Sequence, residues 1–181
     1  RSLVGSEMCI RDSNYIGDAI DDGVRLKMDG LLLVGHIGKL VKIAAGVMNT
    51  HSRQADARME VLAVHAAMAG ADRETVCALM KCFTTKEALD ILEERGLLEE
   101  TMRTVMEKIE YHLAKRAGEK LIAAAQEQRA KLVEAAASKG ALAKIAAEKG
   151  GDKLVQEAEK QAANLQAEAE RQIEKLTAKK E

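Results

Sequence analysis

From Leu121 onward the chain repeats every eleven residues. Leu121, Leu132, Ala143, Leu154, Leu165 and Leu176 form one series, and Ala125, Ala136, Ala147, Ala158 and Ala169 form a second. An eleven-residue period is about 3.67 residues per turn, close to a straight helix or a gently right-handed supercoil. Residues 121–181 are therefore expected to be an Ala/Lys/Glu-rich helix. Stepping the leucine series back lands on Glu110, so the pattern does not extend upstream, and Gly140, Gly150 and Gly151 interrupt it. With so little apolar bulk the repeat cannot bury a core alone. It reads as a long exposed helix or as a coiled coil in search of a partner, and the second reading would make a homo-oligomer through 121–181.

The rest of the chain divides in two. Arg1–Ser13 shows neither helical nor strand periodicity. It reads as an artefactual leader of the kind adapter read-through adds to gene fragments, the alternative being an ordinary loop, and Cys9 within it should carry no chemistry. Residues 14–120 carry the domain. The chain has no Pro, no Trp, one Phe and two Tyr. Its core must therefore rest on Leu, Val, Ile, Met and Ala, and helix is the favoured state.

Within this domain the sequence predicts a helix-rich α/β fold. Ile16, Ala19, Ile20 and Val24 mark a first helix, and the apolar run Leu31-Leu-Leu-Val34, bounded by Gly30 and Gly35, reads as a buried strand. A glycine turn and a helix with Leu40, Val41, Ile43, Ala44 and Val47 follow, completing a fragment of a parallel α/β layer. Helical signals continue afterwards. Gly70 is a C-cap, Asp72 an N-cap, Thr84 with Glu87 a capping box, and Gly96 a stop. Leu97 to Leu113 mark a longer helix ending near Ala117. Met102 and Met106 belong to its core face. Cys77 and Cys82 read as core or partly buried thiols in a reducing compartment.

Two clusters could carry chemistry. Gly35-His-Ile-Gly-Lys39 sits where the strand gives way to a helix, the place where open α/β sheets bind ligands. Gly35 and Gly38 permit close backbone approach, and Lys39 and Lys42 add positive charge suited to carboxylates. The bland alternative is a tight turn that needs glycine. The second cluster is the polar connection holding Asn49, Thr50, His51, Ser52, Asp56, Arg58 and Glu60. Here His51 could exchange a proton and Arg58 could clamp a carboxylate, or Asp and Ser could simply cap a helix. His36, His51 and His65 lie fifteen and fourteen residues apart, which matches no compact metal motif, so no metal is expected. His65 reads as a core histidine and His112 as half-buried.

These same residues carry a resemblance. Asn14-Tyr-Ile-Gly17, Gly35-His-Ile-Gly-Lys-Leu-Val-Lys42, Asn49-Thr-His-Ser52, Ala55-Asp-Ala-Arg-Met-Glu60, Ala69-Gly-Ala71 and Arg116-Ala-Gly-Glu-Lys120 run in order through about a hundred residues. The stretch resembles the C-terminal portion of the cobalt-precorrin-5B C1-methyltransferase family. The resemblance implies a cytoplasmic enzyme that uses S-adenosylmethionine to methylate C1 of a cobalt-corrinoid. His51 would be its catalytic candidate. Gly35, His36, Gly38, Lys39, Asn49, Thr50, Ser52, Asp56, Arg58 and Glu60 would be the binding residues. The family's N-terminal half has no counterpart here, and the eleven-residue repeat replaces its C-terminal end. A fragment without activity of its own is therefore expected.

Two readings compete. One is a helical structural or oligomerisation protein whose repeat does the work. The other is a KH-like module built on the Gly35–Gly38 GxxG loop. A net charge of −1 opposes nucleic-acid binding. No apolar run approaches the ~20 residues of a membrane span.

Overall fold

The computed structural model describes residues 14–28, 30–138 and 140–178. The reading of Arg1–Ser13 as a leader, with Cys9, falls outside these residues, as does the side chain of Leu176. Among these residues seven helices follow one another: α1 (Ile16–Arg25), α2 (Ile37–Ile43), α3 (Arg58–Met68), α4 (Arg73–Leu79), α5 (Thr85–Glu94), α6 (Leu98–Ala137) and α7 (Ala141–Ala178). The expected α/β fold is corrected to an all-helical one. Among the described residues there is no strand, and Tyr15 and Asn49 make one isolated antiparallel bridge.

The correction turns on Leu31–Val34, which has no regular structure. Leu31, Leu32 and Val34 are 47%, 83% and 64% exposed, so the run is not the buried strand its composition suggests. A strand exists only by its ladder, and no described segment pairs with this one. Glycine-bounded apolar runs look alike whether or not a partner strand is present.

The chain divides into two compact units. The first holds the described residues through Ala19 together with Leu32–His112. In it α3 packs against α2, α4 and α5, and α4 against α5. The core is aliphatic: Val41, Ile43, Leu62, Ala66, Leu79, Leu92 and Val105 are buried, and each large aliphatic side chain contributes roughly 1.5–3 kcal/mol. The capping residues act as their chemistry dictates. Asp72 accepts the Thr75 amide, and Thr84 and Glu87 form a reciprocal capping box. Gly70 and Gly96 end helices with φ of +96° and +67°. Cys77 and Met106 are exposed rather than in the core.

The second unit holds Ile20–Leu31 and the chain from Leu113 on. Here the eleven-residue repeat is two helices, not one. Gly140, at φ +101°, makes the turn between them, while Gly150 and Gly151 lie inside α7. Gly118 lies beside Ala162, and Arg129 lies over Gly151 and donates to Asp152 at 2.7 Å. A step forward on α6 is thus matched by a step back on α7, as in an antiparallel hairpin. The alanine series forms its seam: Ala125, Ala136 and Ala158 are buried. Asp21 accepts hydrogen bonds from both nitrogens of the Arg116 fork at 2.9 Å and an ion pair from Lys120 at 2.8 Å. Burial pushes the Asp21 carboxyl up, but these two cations outweigh it and hold it below the ordinary carboxylate value.

Candidate functional site

The polar connection between α2 and α3 is organised from α2, by a residue the sequence reading treated only as nearby charge. Lys42 lies between Val41 and Ile43 on the inward face and is 3% exposed. Its ammonium donates to the Thr50 carbonyl at 3.2 Å and the Ala55 carbonyl at 3.0 Å, and faces Asp56 at 3.9 Å. A buried ammonium requires such partners. The connection therefore folds around this one cation. A lysine within an apolar helical face was the available signal.

The connection begins pinned to Asn14 and to the first turn of α1. The Thr50 amide donates to the Asn14 carbonyl at 2.8 Å, and the Gly17 amide to the Met48 carbonyl at 3.1 Å. Thr50 is buried, and its hydroxyl has no hydrogen-bond partner. Asn49 accepts the His51 amide at 3.2 Å, and His51 Nδ1 accepts the Arg53 amide at 3.1 Å. Because Nδ1 is an acceptor, the neutral His51 ring carries its proton on Nε2. His51, Ser52, Arg53 and Gln54 are exposed. Arg58 points back to Asp56 as a fork, with Nε and Nη2 each 2.7 Å from a carboxylate oxygen. That hydrogen bond, then the charge of Lys42, hold Asp56 below its ordinary value, and Asp56 in turn raises Arg58. Glu60 is exposed in the first turn of α3.

Lys42, Thr50, Ala55, Asp56 and Arg58 thus form one connected cluster. His36 stands at the other end of α2, about 9 Å along the axis from Lys42 at 1.5 Å per residue. It caps the helix, its Nδ1 accepting the Gly38 amide at 3.1 Å. At Gly38 the close approach is made by the protein itself: an added Cβ would lie 2.9 Å from the Thr85 hydroxyl. At Gly35 a Cβ would meet the Leu40 side chain at 3.4 Å. Lys39 is half-buried. The turn and the connection are therefore two places on the first unit, joined by one short helix.

His65 is buried in α3. Its Nδ1 lies 2.9 Å from the Thr104 hydroxyl, which itself donates to the Thr101 carbonyl at 3.0 Å. The hydroxyl proton being spent, Nδ1 carries the hydrogen and donates to Thr104. Burial, then the charge of Lys108, push this ring below the ordinary histidine value. Half-buried His112 packs against Gly46, where φ is +77° and a Cβ would sit 3.3 Å from the ring. Among the described residues, no three His, Cys, Asp or Glu side chains gather to hold a metal ion, and no helix is long and apolar enough to cross a membrane.

Residues 49–126 match the family model described as CbiD, C-terminal domain. Over these residues the chain is similar to the CbiD C-terminal domain. The CbiD segment contains the whole Asn49–Glu60 connection and the helix α3 that follows it, but neither the Gly35–Lys39 turn nor α2 with Lys42. It runs to Gln126, a short way into the eleven-residue repeat. Three curated relatives, each named cobalt-precorrin-5B C(1)-methyltransferase, are similar over a longer stretch. The protein of Ruminiclostridium cellulolyticum is 48% identical over 111 residues, covering 61% of this chain and 29% of the relative. That of Alkaliphilus metalliredigens is 37% identical over 117 residues, covering 65% and 29%. That of Photorhabdus laumondii is 35% identical over 127 residues, covering 70% and 32%. The chain therefore spans about a third or less of the curated relatives it matches. No solved structure matches it.

Proposed function

We propose that the CbiD segment serves the S-adenosylmethionine-dependent methylation of C1 of cobalt-precorrin-5B, in cytoplasmic cobalamin biosynthesis, as one wall of the site rather than the whole of it. The observation that carries this reading is the 48% identity over 111 residues to a relative bearing that name. Alkyl transfer asks chiefly that donor and acceptor be held in line, and a loop of polar side chains on a rigid helical frame suits that task. His51, with Asn49, Thr50, Ser52, Asp56, Arg58 and Glu60, forms the contact loop in this reading. Gly35, His36, Gly38 and Lys39 form a second contact.

These residues do not by themselves fit either the methyl donor or a polycarboxylate corrin. The Lys42 ammonium is engaged by two carbonyls, both prongs of Arg58 rest on Asp56, and the tip of the loop lies in the open. No step of methyl transfer is therefore derived from them. The remaining walls belong, in this reading, to the two thirds of the relatives that this chain does not span.

The test is a graft. In the R. cellulolyticum relative, the stretch corresponding to residues 49–126 is replaced by that of this chain, and methyl transfer to cobalt-precorrin-5B is assayed. Transfer by the chimera is expected. A chimera that melts like its parent yet transfers nothing would overturn the reading. The 181-residue chain alone is expected to show no turnover.

A further inference from the structure

Two cations of the connection are committed to its own structure: Lys42 to the Thr50 and Ala55 carbonyls, and Arg58 to the Asp56 carboxylate. Arg53 is different. It is exposed, and among the described residues its guanidinium makes no hydrogen bond or ion pair. Its backbone, by contrast, is held firmly. The Lys42 ammonium binds one carbonyl on each side of residues 51–54 and so clasps them as a loop. Inside the loop the His51 carbonyl accepts the Gln54 amide at 2.9 Å, which closes a turn with Ser52 and Arg53 at its two central positions. The Asn49 side chain takes the His51 amide, and His51 Nδ1 takes the Arg53 amide. With these three amides consumed within the loop, the tip meets a ligand through side chains: His51 Nε2–H, the Ser52 hydroxyl and the Arg53 guanidinium. All three donate hydrogen bonds, and no acidic residue stands among 51–54.

We propose that Arg53 is the carboxylate-binding residue of this loop. The assignment rests on the methyl-transfer reading, in which the carboxylate is one at the edge of the corrin substrate. A guanidinium presents a planar fork that meets both oxygens of a carboxylate at once. The fork of Arg58 would serve equally well in isolation, but Asp56 occupies it. At Arg53 the fork is open, and His51 and Ser52 bring further donors to the same turn. Because the turn is already closed, binding orders the arginine side chain without also ordering the loop, which lowers its entropic cost.

The test is an NMR titration of the full isotope-labelled chain with dicyanocobyrinic acid, a cobalt corrinoid whose side chains end in free carboxylates. Dicyanocobinamide, which presents the ring with those side chains as amides, is titrated beside it. The acid should move the amide signals of residues 51–54 and the Arg53 Nε–H signal, and the amide form should leave them in place. Arg53→Gln should weaken binding of the acid by about fivefold, the upper end for a charge pair left open to water. Arg53→Lys, which keeps the charge but not the fork, should restore part of it. Arg73→Gln, which removes another exposed arginine, on α4, should bind like the parent. No movement at residues 51–54, equal movement by the amide form, an Arg53→Gln chain that binds like the parent, or equal weakening by Arg73→Gln would each overturn the assignment. The two readings fail separately. Methyl transfer by the grafted relative together with a failed titration removes Arg53 alone. A silent graft together with Arg53-dependent binding removes the methyl-transfer reading and keeps the carboxylate site.

Discussion

Replacing Lys42 by Met removes the ammonium while keeping most of the stem, so the effect isolates the two hydrogen bonds to the Thr50 and Ala55 carbonyls. A hydrogen bond from a charged donor contributes about 1.5–3 kcal/mol, so the gross loss is about 3–6 kcal/mol. Against this, Met relieves the burial of a cation, a cost of several kcal/mol in its own right. The half-exposed contact with Asp56 adds little. A net loss of about 2 kcal/mol is expected, concentrated in the connection. It should be read by amide hydrogen exchange on the full chain. At 1.4 kcal/mol per decade, exchange across residues 50–57 should quicken by roughly 30-fold, while the centre of α3 stays protected. The Thr50 amide bonded to Asn14 and the Gln54 amide bonded to His51 are the natural probes. Exchange in Lys42→Met identical to that of the parent would refute the reasoning, because it would mean the loop holds its shape without its central cation.

Three further outcomes are expected. Gly38→Ala should destabilise by about 1–3 kcal/mol through its clash with Thr85. Adding Thr85→Ala should restore part of that loss, and strict additivity in denaturant titrations would contradict the packing account. Arg58→Lys loses the two-pronged contact, so the Asp56 carboxyl should titrate nearer its ordinary value, seen by NMR. Because the folded value of Asp56 is depressed, its stabilisation is present above the unfolded value of about 3.9 and drains away as pH falls below it. An unmoved Asp56 titration would count against the fork. His65 is also depressed in the fold, so its contribution is complete above about pH 6.5 and is lost as pH falls from there through the lower folded value. Between about pH 7.5 and pH 5.5 the parent Tm should therefore drop further than that of His65→Gln, and equal drops would exonerate His65.

The local rules of helix ends were fully legible. Asp72, Thr84 with Glu87, Gly70 and Gly96 all do what their chemistry announces, because a cap is settled by a few adjacent residues. His65 was legible for a similar reason, its neighbours on α3 being apolar. Leu31–Val34 misled because a strand is a relation between segments, and one segment cannot announce its partner. The break in the repeat was half legible. Three glycines interrupt it, but only Gly140 adopts a backbone that ends a helix, while Gly151 is there to admit Arg129. Lys42 escaped notice as an organiser because its partners are carbonyls, and carbonyls carry no residue identity. Gly38 was read for a ligand, yet the side chain filling its space comes from Thr85, far along the chain.

The alanine seam has one more implication. Its repeats are nearly interchangeable, so sliding α6 against α7 by one full repeat would bring alanine against alanine again. What distinguishes the native alignment is the irregular spot where Arg129 lies across Gly151 and reaches Asp152. That spot acts as a ratchet tooth in an otherwise smooth track. Filling the Gly151 notch should yield a still-helical hairpin that has forgotten its alignment.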